Sequence, residues 1–240
     1  MNSNNKISQA VILSAGLGTR LRPLTEGIPK VMVPLLGKPL LLHHIEQLKK
    51  HGIIDIFINL HYLPDVITDY FGDGSKFGVH ITYAIEKPNI LGTAGGVKNF
   101  EEKLKDNFFV IYGDVFSQVD YAKMAEDFFK KKNPIAMEIV GETNHPTDSD
   151  LVEIDSKGRF IKIFLKPHIK LPTKYYSMRA LFIFNKKVLI FIPKEKYSEI
   201  DHEILPRILE AGGIIYGYKT KDFLKDIGTL DRYNEVVKYL

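Results

Sequence analysis

The segment Leu13-Ser-Ala-Gly-Leu-Gly-Thr-Arg-Leu-Arg-Pro-Leu-Thr25 follows a short apolar run and carries two glycines and two arginines. Gly16 and Gly18 allow the backbone to approach a ligand closely and leave amide N–H groups free for phosphate oxygens. Arg20 and Arg22 add fixed positive charge, and a guanidinium can grip phosphate through two parallel hydrogen bonds. Lys30, in Ile28-Pro-Lys-Val-Met-Val-Pro34, brings a second, compact cation to the same region. Pro29 and Pro34 stiffen its segment, and Val31, Met32 and Val33 are apolar, so this lysine is expected to be held in place. A held charge stabilises a transition state without reorganising.

Two aspartates follow strand-like runs, Asp114 in Tyr112-Gly-Asp114 and Asp226 in Lys225-Asp-Ile-Gly-Thr229. An acid at the carboxyl end of a parallel strand sits where open α/β sheets bind ligands; alone, it equally serves as a cap or a turn residue. Two carboxylates brought together hold one Mg²⁺, which completes its shell with phosphate oxygens and water. Nothing in the sequence dictates that Asp114 and Asp226 meet. Two other glycine motifs fail. The dinucleotide fingerprint needs glycine where Leu21 stands, and the P-loop needs Gly-Lys-Ser/Thr where the chain reads Gly18-Thr19-Arg20.

The elements that would carry these groups alternate. Residues 10–13, 53–59, 79–85 and 108–112 read as strands; 40–51, 64–71, 93–104 and 121–132 read as helices. Pro39 before residues 40–51 and Gly52 after them give the usual helix punctuation. Such alternation predicts a largely parallel sheet with helices on both faces. The second half is richer in strands, at 135–140, 151–154, 160–165, 178–184, 214–219 and 223–225, with a helix over 201–211. Residues 142–150 read as a long surface loop. Thr229 reads as the N-cap of a final helix.

The 240 residues include no cysteine, which excludes disulfides, thiolate catalysis and thiolate metal sites. The eight histidines show no metal-ligand spacing, and His43-His44 reads as a pair on a helix surface. A net charge of +4 with scattered basic residues does not mark a nucleic-acid binder. Lys130-Lys131-Lys132 reads as a solvated helix end, where cations favour the dipole. No apolar run approaches the roughly 20 residues of a membrane helix, and residues 1–9 lack the apolar stretch of a secretory signal. A cytoplasmic protein without membrane or nucleic-acid partners is expected, and self-association into a homo-oligomer stays open.

The string Ala15-Gly-Leu-Gly-Thr-Arg-Leu-Arg-Pro-Leu-Thr, followed by Pro29-Lys-Val-Met-Val-Pro, resembles the signature of the sugar-1-phosphate nucleotidyltransferases. Leu91-Gly-Thr-Ala-Gly-Gly96, Tyr112-Gly-Asp114, Lys166-Pro167 and Asp226-Ile-Gly-Thr229 follow in that family's order and spacing. The similarity runs from Ala10 to Leu240. It implies an α/β fold with a Rossmann-like mixed, mostly parallel sheet flanked by helices, of the nucleotide-diphospho-sugar transferase type. It also implies one domain over 1–240, with 10–132 binding nucleotide and 133–240 binding sugar phosphate.

The resemblance assigns roles as well. The backbone of Leu13, Ala15, Gly16, Gly18 and Thr19 would cradle base and phosphates, Arg20 would sit on the triphosphate, and Lys30 would contact phosphates at the reaction centre. Gly92 and Thr93 would line the nucleotide pocket, with Glu86 as a base reader. Asp114 and Asp226 would hold Mg²⁺, and Lys166 would meet the sugar phosphate. The substrates implied are a nucleoside triphosphate and a sugar 1-phosphate. The sugar phosphate oxygen attacks the α-phosphorus in line and pyrophosphate leaves; positioning and charge supply the catalysis, with no protein nucleophile.

The chain departs from the pattern where Leu165-Lys166-Pro167 replaces Glu-Lys-Pro and Met178-Arg179-Ala180 replaces Asn-Ala-Gly, both places that help hold the sugar in the family. Leu91-Gly-Thr-Ala-Gly resembles the mannose- and heptose-1-phosphate guanylyltransferase branches, and His145-Pro-Thr-Asp-Ser-Asp-Leu-Val152 resembles the heptose type. GTP and a mannose- or heptose-type sugar are therefore the expected substrates, with uridylyl- and thymidylyltransferases as the alternative. Two readings from other classes compete. A non-catalytic sugar-nucleotide-binding subunit is opposed by the presence of Arg20, Lys30, Asp114 and Asp226, and a dinucleotide-dependent oxidoreductase is opposed by Leu21.

Overall fold

Ala10, Val11 and Ile12 are fully buried, and this apolar run forms the strand on which the molecule is organised. The computed structural model describes residues 6–240. Strand β1 (Gln9–Leu13) leads through two irregular loops to a two-residue hairpin, β2 (Pro34–Leu35) and β3 (Lys38–Pro39), and then to helix α1 (Leu40–Lys50). The hairpin turns on Leu36 and Gly37, both at positive φ (48° and 76°), as a tight primed turn requires. β4 (Asp55–Leu60), α2 (Pro64–Phe71), β5 (His80–Ile85), α3 (Gly92–Lys98) and β6 (Asn107–Tyr112) complete the first half. β6, β1, β4 and β5 lie side by side and parallel.

A short strand β7 (Val115–Ser117) and helix α4 (Tyr121–Lys130) lead into the second half. Its strands are β8 (Pro134–Gly141), β9 (Leu151–Ile154), β10 (Phe160–Phe164) and β11 (Tyr176–Asn185). After helix α5 (Leu205–Glu210) come β12 (Ile214–Lys219), β13 (Leu224–Asp226) and α6 (Leu230–Tyr239). β11 joins β6 antiparallel, so one nine-stranded mixed sheet spans both halves. β8 and β9 pair with β11, β10 pairs with β9, and β12 runs parallel to β8.

Apolar side chains alternate across the sheet and form two cores. One contains Leu41, Ile45 and Leu48 of α1 with Met124 and Phe128 of α4; the other contains Ala94 and Val97 of α3 with Leu205 and Ile208 of α5. A third, smaller core gathers Leu21, Val33, Leu35, Leu40, Phe116, Ile227 and Val236. It lies outside the sheet, under the loops that bear the charged residues. Burial at roughly 25 cal/mol per Å² of apolar surface therefore fixes those loops, although most of them lack regular structure.

Several elements differ from expectation. The helix expected over 93–104 ends at Lys98 and continues as turns, with Phe100 and Leu104 packed into the second core. The helix expected over 201–211 opens with one π turn, Ile200–Ile204, before α5. Pro206 has no N–H to offer the turn before it, which favours such an irregularity. Asp120 caps α4 by accepting the Lys123 amide at 3.1 Å, and Thr229 caps α6 as expected. His44 corrects the surface reading of the histidine pair. It is 2% exposed, and its Nε2 lies 3.1 Å from the carbonyl oxygen of Gly113. Burial lowers its pKa to about 4, so the ring is neutral at pH 7.

Candidate active site

β1 ends at Leu13, and the chain then crosses the carboxyl edge of the sheet before a single 3-10 turn, Thr19–Leu21. Two side chains fix the path of this loop. The Ser14 amide donates to Asn59 Oδ1 at 2.9 Å, and the Thr25 hydroxyl donates to the Gly18 carbonyl at 2.7 Å. Gly18 adopts φ 66°, and a Cβ there would press on Lys30 and Thr25 at 3.2 Å. A Cβ on Gly16 would meet nothing within 4 Å. The loop borders a cavity of about 650 Å³ at the carboxyl ends of β1 and β6, walled by residues 13–20 together with Lys30, Asn59, Gly92, Thr93, Tyr112 and Asp114.

The charged groups converge on one side of this cavity. Lys30 opens the short turn Lys30–Met32, between buried Pro29 and buried Val31. Its Nζ lies 2.5 Å from Asp114 Oδ2, and its side chain is only 12% exposed. Asp114 follows β6, and its carbonyl accepts the Ile227 amide at 2.9 Å. One step on, β7 pairs with β13 in the register Val115↔Asp226. Asp114 therefore directly precedes the strand that pairs with the one ending in Asp226. Asp226 Oδ1 accepts the Gly228 amide and Arg232 Nη1, both at 2.9 Å, and Arg232 reaches Asp148 with Nη2 at 2.6 Å. Gly228 lines the cavity, and a Cβ on it would lie 2.7 Å from Asp226 Oδ1, 3.6 Å from Arg20 Nη2 and 3.8 Å from Lys30 Nζ. Arg20, Lys30, Asp114 and Asp226, remote in sequence, are thus brought together.

The opposite wall is α3 with the loop before the π turn. Gly92 adopts φ 75°, and a Cβ there would fall 2.4 Å from the Ser198 carbonyl. That carbonyl accepts the Ala94 amide at 3.0 Å, and Thr93 Oγ1 accepts the Ile200 amide at 2.8 Å. This close fit brings Tyr197 and Glu199 to the cavity, where the Tyr197 hydroxyl donates to Glu199 Oε1 at 2.6 Å.

Two expected residues lie elsewhere. Glu86 is 3% exposed and sits behind the wall. Its Oε1 accepts from Asn59 (2.9 Å) and Asn99 (3.2 Å), and its Oε2 accepts the Leu91 amide (2.7 Å). Both oxygens are engaged by protein donors, so its side chain braces the pocket and does not face a base. Lys166 is exposed and outside the cavity lining; its Nζ donates to the Asp148 carbonyl at 3.1 Å. It connects to the charged cluster through Asp148, Arg232 and Asp226.

The sequence reading did not single out Asn59, Tyr197, Glu199, Gly228 or Arg232. Asn59 carried a signal, as an amide that follows the apolar run Ile56-Phe-Ile58 within a strand. Arg232 carried none, because its place depends on α6 docking beside β13.

Gly16 supplies a test of the cavity. Gly16→Val puts side-chain atoms into open space at a residue with no positive-φ constraint, so triphosphate affinity measured by calorimetry is expected to fall with little change in melting temperature. Gly18→Val, strained by its φ, is expected to lower both. Undiminished affinity in Gly16→Val would show that the cavity does not hold phosphates.

Comparison with known proteins agrees with this geometry. The family model described as Nucleotidyl transferase matches residues 9–240. The chain is 30% identical over 243 residues to a UTP–glucose-1-phosphate uridylyltransferase of Synechocystis sp., covering 96% of this chain and 62% of that protein. It is 33% identical over 222 residues to the mannose-1-phosphate guanylyltransferase of Mycobacterium tuberculosis, covering 92% of this chain and 61% of that one. The chain thus spans about three fifths of these relatives. Among solved structures it resembles HddC from Yersinia pseudotuberculosis, with TM-score 0.80 and 27% identity over 97% of this chain and 99% of that one. With the match running nearly from end to end and the motif residues gathered around one cavity, the chain belongs to the nucleotidyl transferase family, among its sugar-1-phosphate members.

Proposed function

We propose that the protein transfers a nucleotidyl group from a nucleoside triphosphate to a sugar 1-phosphate, releasing pyrophosphate. The observation that carries this reading is the convergence of Arg20, Lys30, Asp114 and Asp226 at a glycine-bordered cavity. Residues 14–19 border the cavity, and the loop amides beyond Ser14, whose own N–H is taken by Asn59, suit the triphosphate. Arg20 and Lys30 offset its charge where the bond to the leaving pyrophosphate breaks, and the acceptor phosphate enters in line from the second half. Residues 10–132 bind the donor in this reading and 133–240 the acceptor.

Asp114 and Asp226 also fit a divalent cation. They are two carboxylates at one end of the β7–β13 ribbon, beside a phosphate-sized cavity, the sparse donor set that suits Mg²⁺. Among the described residues no cluster of three or more His, Cys, Asp or Glu offers a fuller cage. Mg²⁺ bound there would neutralise charge on the reacting phosphates. Lys30 holds one oxygen of Asp114 and Arg232 reaches both oxygens of Asp226, so both acids are oriented before substrate arrives.

GTP is the donor this reading favours, supported by the guanylyltransferase among the relatives and by the structure of HddC complexed with GMP-PN. Initial rates with each nucleoside triphosphate against mannose-, heptose- and glucose-type 1-phosphates, scored by pyrophosphate release, are expected to peak with GTP. A uridine or thymidine preference overturns the donor assignment and leaves the transfer reaction standing; no release with any pair overturns the reaction itself. Among the described residues no helix is long and apolar enough to cross a membrane.

A further inference from the structure

Two carboxyl groups that the reaction does not use are buried behind the cavity, each with one oxygen engaged and one left over. Glu138, in the middle of β8, is 0% exposed. Its Oε1 accepts the amides of Arg179 (3.0 Å) and Ala180 (3.3 Å), and its Oε2 is buried with no donor among the described residues. Asp201 lies in the π turn, an irregularity common at functional sites. Its Oδ2 accepts the Tyr112 hydroxyl at 2.5 Å, and its Oδ1 is likewise buried without a donor. An ionised carboxylate left this way is heavily penalised, and neighbouring carboxyls relieve the penalty by holding a proton between them.

We infer that Glu138 and Asp201 share one proton, with Glu138 Oε2–H donating to Asp201 Oδ1, and that the pair positions the acceptor side of the site against the donor side. One proton satisfies both orphaned oxygens. The groups facing Glu138 include Asp201, Asp150, Tyr112 and the Arg179 and Ala180 amides; those facing Asp201 include Glu138, Tyr112, Asp150, His202 and Glu199. Burial first, and Asp201 next, push Glu138 well above the usual carboxyl range; burial pushes Asp201 up to about 6.

The pair joins two walls. Tyr112 lines the cavity two residues before Asp114. Arg179 and Ala180 lie where β11 breaks register with β8, between Met178 and Phe182, and Ala180 holds φ 52°. Glu138 thus secures a bulge in the second half while its partner secures the floor of the first. Loss of the proton leaves two like charges between them, and the bulge and Tyr112 lose their common anchor. This inference rests on the reading above that the second half takes the sugar phosphate.

Glu138→Gln and Asp201→Asn test it, since either amide keeps the shape and supplies a permanent N–H in place of the shared proton. The folded protein holds a proton that the unfolded chain releases above about pH 4, so stability falls as pH rises from there through the raised folded pKa values. Wild type is expected to lose on the order of 5 °C more in Tm between pH 5 and pH 8.5 than either variant. The wild-type KM for sugar 1-phosphate is expected to climb over the same range while kcat changes less, and the variants' KM is expected to stay level. If one variant fails to fold, the other carries the comparison. Parallel Tm curves overturn the shared proton, whatever the protein transfers. Divergent Tm curves with equal KM profiles overturn the positioning role. Divergent Tm curves without nucleotidyl transfer by any variant support the proton pair and count against the proposed reaction.

Discussion

Lys30→Ala is expected to lower kcat by about 10²–10³-fold, the usual loss for one preorganised charge contact, equivalent to roughly 3–4 kcal/mol. The Lys30 side chain is 12% exposed, lines the cavity and is held at 2.5 Å by Asp114. Its backbone is fixed from below by Val31 and Val33, 3% and 0% exposed, neither of which depends on the ammonium. A solvated surface lysine would cost almost nothing on removal, whereas this one stands 3.8 Å from the Cβ position of Gly228 beside Asp226 and Arg20. Steady-state kinetics with saturating triphosphate and sugar phosphate, alongside a melting curve, decide the matter. A kcat within about fivefold of wild type, roughly 1 kcal/mol, would remove Lys30 from the reaction centre. A collapsed Tm would show that its pairing with Asp114 is structural.

Asp114→Asn is expected to cut turnover by at least as much, about 10³-fold, because metal-borne charge stabilisation amounts to several kcal/mol. The substitution keeps the side chain's shape and leaves the Asp114 carbonyl to accept the Ile227 amide, so β7 and β13 stay paired. What changes is one negative charge facing Lys30 and the cavity. The diagnostic measurement is turnover against Mg²⁺ concentration. The variant is expected to need far more Mg²⁺ and never to reach the wild-type plateau, and near wild-type turnover at ordinary Mg²⁺ would refute the assignment.

The expected residues that line the cavity share a cause. Leu13 to Arg20, Lys30, Gly92 and Thr93 sit in short segments whose glycines, prolines and flanking apolar runs dictate local geometry, so their chemistry and their fold are written in the same few positions. The meeting of Asp114 and Asp226 was not legible, because it depends on pairing two three-residue strands, Val115–Ser117 and Leu224–Asp226, too short to show a period. His44 was legible in principle. Leu41, His44, Ile45 and Leu48 fall on one helical stripe, and that stripe is buried. Glu86 misled because a carboxylate after a strand is ordinarily exposed, and only the tertiary fold supplies Asn59, Asn99 and the Leu91 amide as its donors. Glu138 stood out as the lone charge in an apolar strand, a signal the sequence reading passed over.

The antiparallel seating of β11 against β6 sets how this protein can change. Leu181 pairs with Ile111, so the residues before it, 176–180, run past the carboxyl end of β6 toward the cavity. The segment 142–180 therefore arrives on a reversed strand and its preceding loops, while residues 14–20 and Asp114 follow the parallel strands β1 and β6. Insertions and substitutions in the loops between residues 142 and 175, Asp148 apart, can accumulate without re-registering β1 or β6, whose carboxyl ends lead to the cavity. Under the proposed reaction, selection can thus vary the acceptor on one side of the seam while the donor side is inherited unaltered.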